Sequence, residues 1–323
     1  MSRKPAQRTG HGSAARSRGR YRPAVATLVP LAGVGPALAI DIGGTKLAAG
    51  VVTETGALVS RAQAPTVGQG DGEALFAALV GVVAAALEGA APGPPPALVG
   101  VGCGGPMAAG GVDVSPLNIP AWRRFPLRDR LAELTGLPTF VDNDAKALAV
   151  GEGWVGAAAG ESDFLAMVVS TGVGGGIVLD GRLLDGASGN AGHIGHVVVE
   201  PDGRRCACGG RGCLEAEASG TAIAAITGRP ANEAGPEVVA RTGTLVGRAV
   251  ASVANLLDLR LALVAGSVAL GFGAPFFAAA EAELHRLARL DFSVGTRIVP
   301  AGLGADGPLV GAAAVGYRSL ALG

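Results

Sequence analysis

Charge and aromatic residues are scarce in this 323-residue chain: 16% of positions are charged and 4% aromatic, and the formal net charge is zero. A chain this poor in net charge, with 49% hydrophobic residues, lacks the composition of a globally disordered protein. A body built to hold nucleic acid carries a basic face, which a balanced total does not supply. Cysteine is also rare, at four residues. That excludes a disulfide framework, and the clustering of three within eight positions suggests a metal site instead. No apolar run reaches the roughly 20 unbroken residues of a spanning helix. What is abundant is glycine, 54 residues without a G-X-Y period, which signals many tight turns and close backbone approaches.

Acidic residues are missing altogether before Asp41, while seven basic residues lie between Arg3 and Arg22. Removing those seven from 26 basic residues leaves 19 against 26 acidic ones, a net of −7 for the body. Residues 1–36 are therefore expected to be a basic disordered arm. Basic residues before an apolar stretch containing Ala37-Leu38-Ala39 resemble a signal peptide. Pro30, Gly33, Gly35 and Pro36 interrupt that stretch, and its end is needed as a strand. Secretion is not expected.

From Leu38 the pattern is regular. Strands are expected at 38–42, 47–53, 57–63, 97–103 and 138–141, and helices at 71–89, 127–135 and 142–154. Strands at 164–170 and 176–180 flank a second glycine turn at 171–175. A loop at 200–213 precedes helices at 219–226 and 242–257. A strand at 261–265, a helix at 275–288, a strand at 297–300 and a helix at 308–320 complete the chain. Alternating strands and helices predict an α/β fold. The strand–glycine turn–strand unit occurs twice, at 38–53 and 164–180, which suggests an internal duplication.

Asp41-Ile-Gly-Gly-Thr-Lys46 delivers an aspartate from a strand into a two-glycine turn. Gly43, Gly44, Thr45 and Lys46 can cradle a phosphate, and Asp41 can hold Mg²⁺ through water. A plain two-glycine hairpin explains the same residues. Thr171-Gly-Val-Gly-Gly-Gly176 is the counterpart in the second half. Two further G-x-G-x-x-G matches, Gly100–Gly105 and Gly302–Gly307, lack the strand–turn–helix context of a dinucleotide fingerprint. Neither a P-loop nor a hydrolase elbow motif is present.

His196, Cys206, Cys208 and Cys213 form H-x9-C-x-C-x4-C. Three thiolates and an imidazole make a closed tetrahedral Zn²⁺ set, hence a structural site; reduced cysteines without metal are the alternative. Cys103 stands alone and is expected to be buried. Asn143-Asp144 opens a helix after a strand, where a carboxylate is placed either as a general base or as part of an ordinary cap.

The order DIGGTK, ND before a helix, TGVGGG, GHIGH, CACGGRGCLE resembles the ROK family (repressors, open reading frames, kinases), over about residues 38–320. The resemblance implies an actin-like ATPase (ribonuclease H-like) fold of two lobes with a central cleft. Its N-terminal lobe would span 37–141, joined by the C-terminal helix 308–323. Its C-terminal lobe would span 142–307, with a zinc loop at 196–213. It implies an ATP-dependent, cytoplasmic kinase that transfers the γ-phosphoryl of MgATP to the 6-hydroxyl of a hexose or N-acetylhexosamine, glucose or N-acetylmannosamine. By the same resemblance Asp144 is the base, and Asn143, His193, His196 and Glu215 bind the sugar. Asp41, Gly43, Gly44, Thr45, Lys46, Thr171, Gly172 and Gly174 serve the phosphates, and Gly266 and Ser267 the adenosine side. Partners implied are the sugar, ATP and further copies of the chain as a homodimer or homotetramer, with no specific nucleic acid and no membrane.

An alternative within the family is a sugar-sensing transcriptional regulator without catalysis. Only about 36 residues precede the first strand, fewer than such a regulator's DNA-binding unit uses. Two departures stand out. His193 occupies the position of the family's usual glutamate, either as neutral drift or as a donor to an acetamido carbonyl. Lys146 replaces a frequent asparagine and is expected on the exposed face of its helix.

Overall fold

The computed structural model describes residues 33–66 and 71–322. Most of the basic arm, residues 1–32, lies outside them. The chain opens with β1 (Ala37–Ile42), β2 (Lys46–Val52) and β3 (Leu58–Pro65), then α1 (Gly72–Ala90), β4 (Leu98–Cys103), α2 (Leu127–Thr135) and β5 (Thr139–Asn143). These strands form one sheet in the order β3-β2-β1-β4-β5. The helix α3 (Asp144–Val155) leads to β6 (Phe164–Val169), β7 (Val173–Leu179) and β8 (Arg182–Leu183). Helices α4 (Leu214–Ala218), α5 (Gly220–Thr227) and α6 (Pro236–Leu257) follow, then β9 (Leu261–Ala265), α7 (Ser267–Phe272), α8 (Ala274–Leu287), β10 (Arg297–Pro300) and α9 (Gly307–Leu322). The second sheet runs β8-β7-β6-β9-β10, the order of the first repeated.

Each sheet joins an antiparallel meander to two parallel strands. Parallel strands covered on both faces need continuous apolar runs, and β1 and β4 supply them, with Asp41 as the one charge. The parallel register aligns Asp41 with Gly102 and Gly102 with Asp142, so the carboxyl ends of β1, β4 and β5 share one edge. Ligand crevices form at such edges.

Helices α3 and α9 lie between the sheets. Ala37, Ala39 and Leu98 of the first sheet share a core with Leu148, Phe164, Ala166, Ala313 and Tyr317. The approach is backbone-close: a Cβ at Gly100 would sit 2.0 Å from the Ala312 carbonyl oxygen. The Tyr317 hydroxyl donates to the carbonyls of Gly35 (2.9 Å) and Val52 (3.2 Å), tying the last helix to the first strands. The apolar α1 is long enough to cross a membrane by composition, and it buries Leu75, Phe76, Leu79, Val82, Val83 and Ala86.

Several boundaries differ from expectation. α1 runs past Gly89 to Ala90 and is capped at Ala91. Asp142 and Asn143 belong to β5, because they pair with Gly102 and Cys103 before the helix turns. α6 starts at Pro236 and not at 242, since proline fits a first helical turn and Val239 reaches the core. The short helices α4 and α7 lack the length that makes periodicity visible. β7 begins at Val173, so Gly174 to Gly176 are strand residues. A Cβ at Gly176 would meet Ala149 Cβ at 2.7 Å and Lys146 Cα at 2.9 Å, so α3 pressing on the strand explains glycine there.

Candidate active site

Two carboxylates face each other where the sheets meet. Asp41 ends β1, and Asp144 opens α3. Asn143 caps that helix, its Oδ1 accepting from the amides of Ala145 (3.0 Å) and Lys146 (3.4 Å). Asp144 Oδ1 accepts from the Ala145 amide at 2.8 Å, which fixes the carboxylate at the helix start. Asp144 is open to the cleft yet ringed by protein, and that desolvation raises its pKa above the ordinary carboxylate range. Asp41 is pushed up to about 7 by burial first and by the charge of Asp144 second, with Lys46 opposing. Two carboxylates that repel one another suit a divalent cation, whose charge relieves them. Cys103 sits beside both, fully buried, and its thiol is held in the protonated form by burial.

The glycine turns flank this pair. In the first, Gly43 donates its amide to the Lys46 carbonyl at 2.9 Å, and the Thr66 hydroxyl donates to the Gly43 carbonyl at 2.7 Å. Thr45 and Lys46 are exposed. Asn118 packs over the turn, since a Cβ at Gly44 would lie 2.6 Å from Asn118 Cβ. Nothing in the residue pattern around Asn118 singled it out. In the second turn the Thr171 carbonyl accepts from the amide (3.2 Å) and hydroxyl (2.9 Å) of Thr221. Gly172 lies against Glu215 Oε2. Gly174 pairs with Val168 inside the sheet, with Ala145 against it. Gly266 has φ +100°, and a Cβ there would strike the Val169 carbonyl at 2.3 Å, so glycine is required. The adjoining Ser267 hydroxyl meets that of Ser170 at 2.9 Å, which joins this element to the second turn.

His196, Cys206, Cys208 and Cys213 converge, their candidate ligand atoms all within 4.8 Å of one another. Cys206 Sγ lies 3.7 Å from His196 Nδ1, and Cys208 Sγ 3.7 Å from Cys213 Sγ. Zinc–sulfur bonds of about 2.3 Å place tetrahedral sulfurs about 3.8 Å apart, so the donor set and its spacing fit Zn²⁺. Cys213 leads directly into α4, which carries Glu215, and Glu215 Oε2 accepts from the Val173 amide at 3.1 Å. His193 opens to the cleft with its ring 6.0 Å from that of His196. Its pKa is lowered, chiefly by desolvation and then by His196, so the imidazole is neutral at pH 7.

Lys146 contradicts expectation. It is buried, not exposed, because every residue of α3 from Ala145 to Glu152 is buried and the helix has no solvent face there. Its ammonium meets Asp142 Oδ1 at 3.0 Å and Asp185 Oδ1 at 2.7 Å. Nothing in the residue pattern marks Asp185 as a partner, because 39 residues separate the two.

Two sheets of one topology, with paired carboxylates and glycine turns at their meeting edge, define an α/β protein of the actin-like ATPase fold. Residues 37–318 match the ROK family, and the chain belongs to it. The N-acetylmannosamine kinase of Citrobacter koseri is 40% identical over 251 residues, 73% of this chain and 84% of that protein. The ROK hexokinase from Thermus thermophilus superposes with a TM-score of 0.77 at 35% identity, covering 89% of this chain and 100% of that one. A ROK family glucokinase from Streptomyces griseus, solved with glucose and AMPPNP, gives 0.77 at 31% identity, over 88% of this chain and 100% of its own.

Proposed function

We propose that this chain is an ATP-dependent sugar kinase transferring the γ-phosphoryl group of MgATP to the 6-hydroxyl of a hexose or N-acetylhexosamine. The observation that carries the reading is Asp144, fixed at a helix start, open to the cleft and facing Asp41 between two glycine turns. A sugar hydroxyl is a weak nucleophile, and a positioned carboxylate that takes its proton is worth about 10²–10⁴-fold. Asn143, His193 and Glu215 orient the sugar hydroxyls, with His196 beside them. Thr45, Lys46 and the backbone of Gly43, Gly44, Thr171 and Gly172 bind the phosphates, while Gly266 and Ser267 border the adenosine.

Asp41 would hold Mg²⁺ through water. When bound, that ion neutralises charge on the transferring group. His196, Cys206, Cys208 and Cys213 would hold Zn²⁺, which stiffens the loop that places Glu215. Gly174 keeps a supporting part, letting α3 approach the second turn.

The acetamido sugar is the reading we favour for the substrate. A neutral His193 offers one N–H donor, which suits an acetamido carbonyl. A cytoplasmic location accords with the thiolates and the ATP requirement, and a homodimer or homotetramer is what the family resemblance implies. Assignment of the phosphorylated oxygen by NMR tests the reaction: coupling at O6 of N-acetylmannosamine is expected, and a product phosphorylated at the anomeric oxygen would refute the assignment.

A further inference from the structure

We propose that Lys146 is a positioning residue whose ammonium fixes residues 184–192 and thereby sets His193 against the sugar; the proposal rests on the kinase reading. The Lys146 side chain is 3% exposed. Its ammonium donates to Asp185 Oδ1 at 2.7 Å and to the Gly189 carbonyl at 3.2 Å, and pairs with Asp142 Oδ1 at 3.0 Å. An ammonium has three donors and no acceptor, so all three of these oxygens suit it.

The partners come from both halves of the molecule. Asp142 ends a strand of the first sheet, whereas Asp185 and Gly189 follow β8 of the second. Arg318 of α9 takes the other oxygen of Asp185 at 3.2 Å. The cluster therefore joins the catalytic helix, the first sheet and the last helix to one segment.

That segment has little else to hold it. Leu184 packs against the core and its amide donates to the Ile177 carbonyl at 2.8 Å, but none of residues 185–193 is buried and no apolar side chain anchors that stretch. Gly186, Gly189 and Gly192 all have positive φ (75°, 81° and 98°), and glycine carries the largest chain entropy to suppress. A backbone bond from the Ala191 amide to the Asp185 carbonyl (3.0 Å) closes the loop on itself. Between Leu184 at one end and Gly192, which lies against the Gly175 carbonyl, at the other, the side chains that hold it are Lys146 and Arg318. The segment runs directly into His193, which shares the cleft with Asp144 and Glu215. A shift of Asp185 or Gly189 would displace the imidazole while leaving Asp144, which has its own bond to the Ala145 amide.

The test compares Lys146→Met, Asp185→Ala and the double variant with the wild-type chain. Asp185 is half-exposed, so its replacement preserves the fold and leaves the Lys146–Asp142 pair, whatever becomes of Lys146→Met. Asp185→Ala is expected to raise the sugar KM about 10-fold, since one mispositioned hydrogen-bond partner weakens binding by roughly that. The kcat and the ATP KM are expected to stay within about twofold. The double variant is expected to be no worse than the worse single, because both act through one contact. Hydrogen exchange of the 186–193 amides is expected to speed up in the same variant. A folded Asp185→Ala protein with unchanged sugar KM, or with kcat and ATP KM altered equally, overturns the proposal. Absence of turnover by the wild type on every sugar refutes the kinase instead. The anchor is then judged on exchange alone: acceleration confined to 186–193 supports it, and unchanged rates overturn it.

Discussion

Glu215 Oε2 accepts the amide hydrogen of Val173 at 3.1 Å, so the cysteine loop and the second glycine turn are coupled through a single bond. Because Glu215 follows Cys213 by two residues, metal at the cluster holds both the glutamate and, through Val173, the start of β7. Elemental analysis is expected to give about one zinc per chain. Cys208→Ser is expected to lose it and to raise the sugar KM more than the ATP KM. Less than about 0.3 zinc per chain in a folded, active protein would contradict the site.

Asp41 gives a pH signature. Its pKa is pushed up from 3.8 to about 7 in the folded chain. Between those values the folded state holds a proton that the unfolded state releases. The contribution of Asp41 to the stability of the nucleotide-free protein therefore falls as pH rises through that window and is lowest above about 7. Asp41→Asn removes that contribution. Thermal melting of the metal-free protein is expected to show the variant more stable than the wild type at pH 8 and equal to it near pH 4, while kinase activity drops at both. A wild-type melting temperature that climbs from pH 5 to 8, with no difference from the variant, would show that Asp41 is ionised throughout.

Gly176 tests the packing that brings α3 to the second turn. An alanine there has to displace Ala149 and the α3 backbone, at 2.7–2.9 Å. Overpacking of this kind costs about 1–3 kcal/mol, to be read as a lowered denaturation midpoint at unchanged m-value. Equal midpoints for Gly176→Ala and the wild type would show that the helix is free to retreat.

Much of this was legible in the residues. The helix at 127–135, the strand expected at 97–103 and the burial of Cys103 follow from local chemistry, and all three are seen, the strand from Leu98. The convergence of His196, Cys206, Cys208 and Cys213 was legible because spacing and donor type coincide. The Lys146–Asp185 pair was not, because burial of a charge is set by partners distant in sequence. Gly174 is a strand residue where a turn was expected, since a phosphate turn and a close helix contact demand the same missing side chain. Asn118 escaped notice because a long irregular connection, not a repeating element, delivers it to Gly44.

His193 is expected to govern the choice of sugar. His193→Glu replaces a neutral donor by an acceptor-only carboxylate. The ratio of kcat/KM for N-acetylmannosamine to that for glucose is expected to fall by about tenfold or more, the size of one hydrogen bond lost. Steady-state kinetics on both sugars measure it, and an unchanged ratio would assign His193 no part in recognition.

The most direct test of the central claim is ADP release from ATP with glucose, mannose, N-acetylglucosamine and N-acetylmannosamine, for the wild type and Asp144→Asn. The account predicts turnover on at least one of these sugars and a fall in kcat of about 10²–10⁴-fold in the variant, with the sugar KM within about threefold. Turnover that survives Asp144→Asn within tenfold would contradict the assignment of the base, and sugar binding without any turnover in the wild type would contradict the kinase itself.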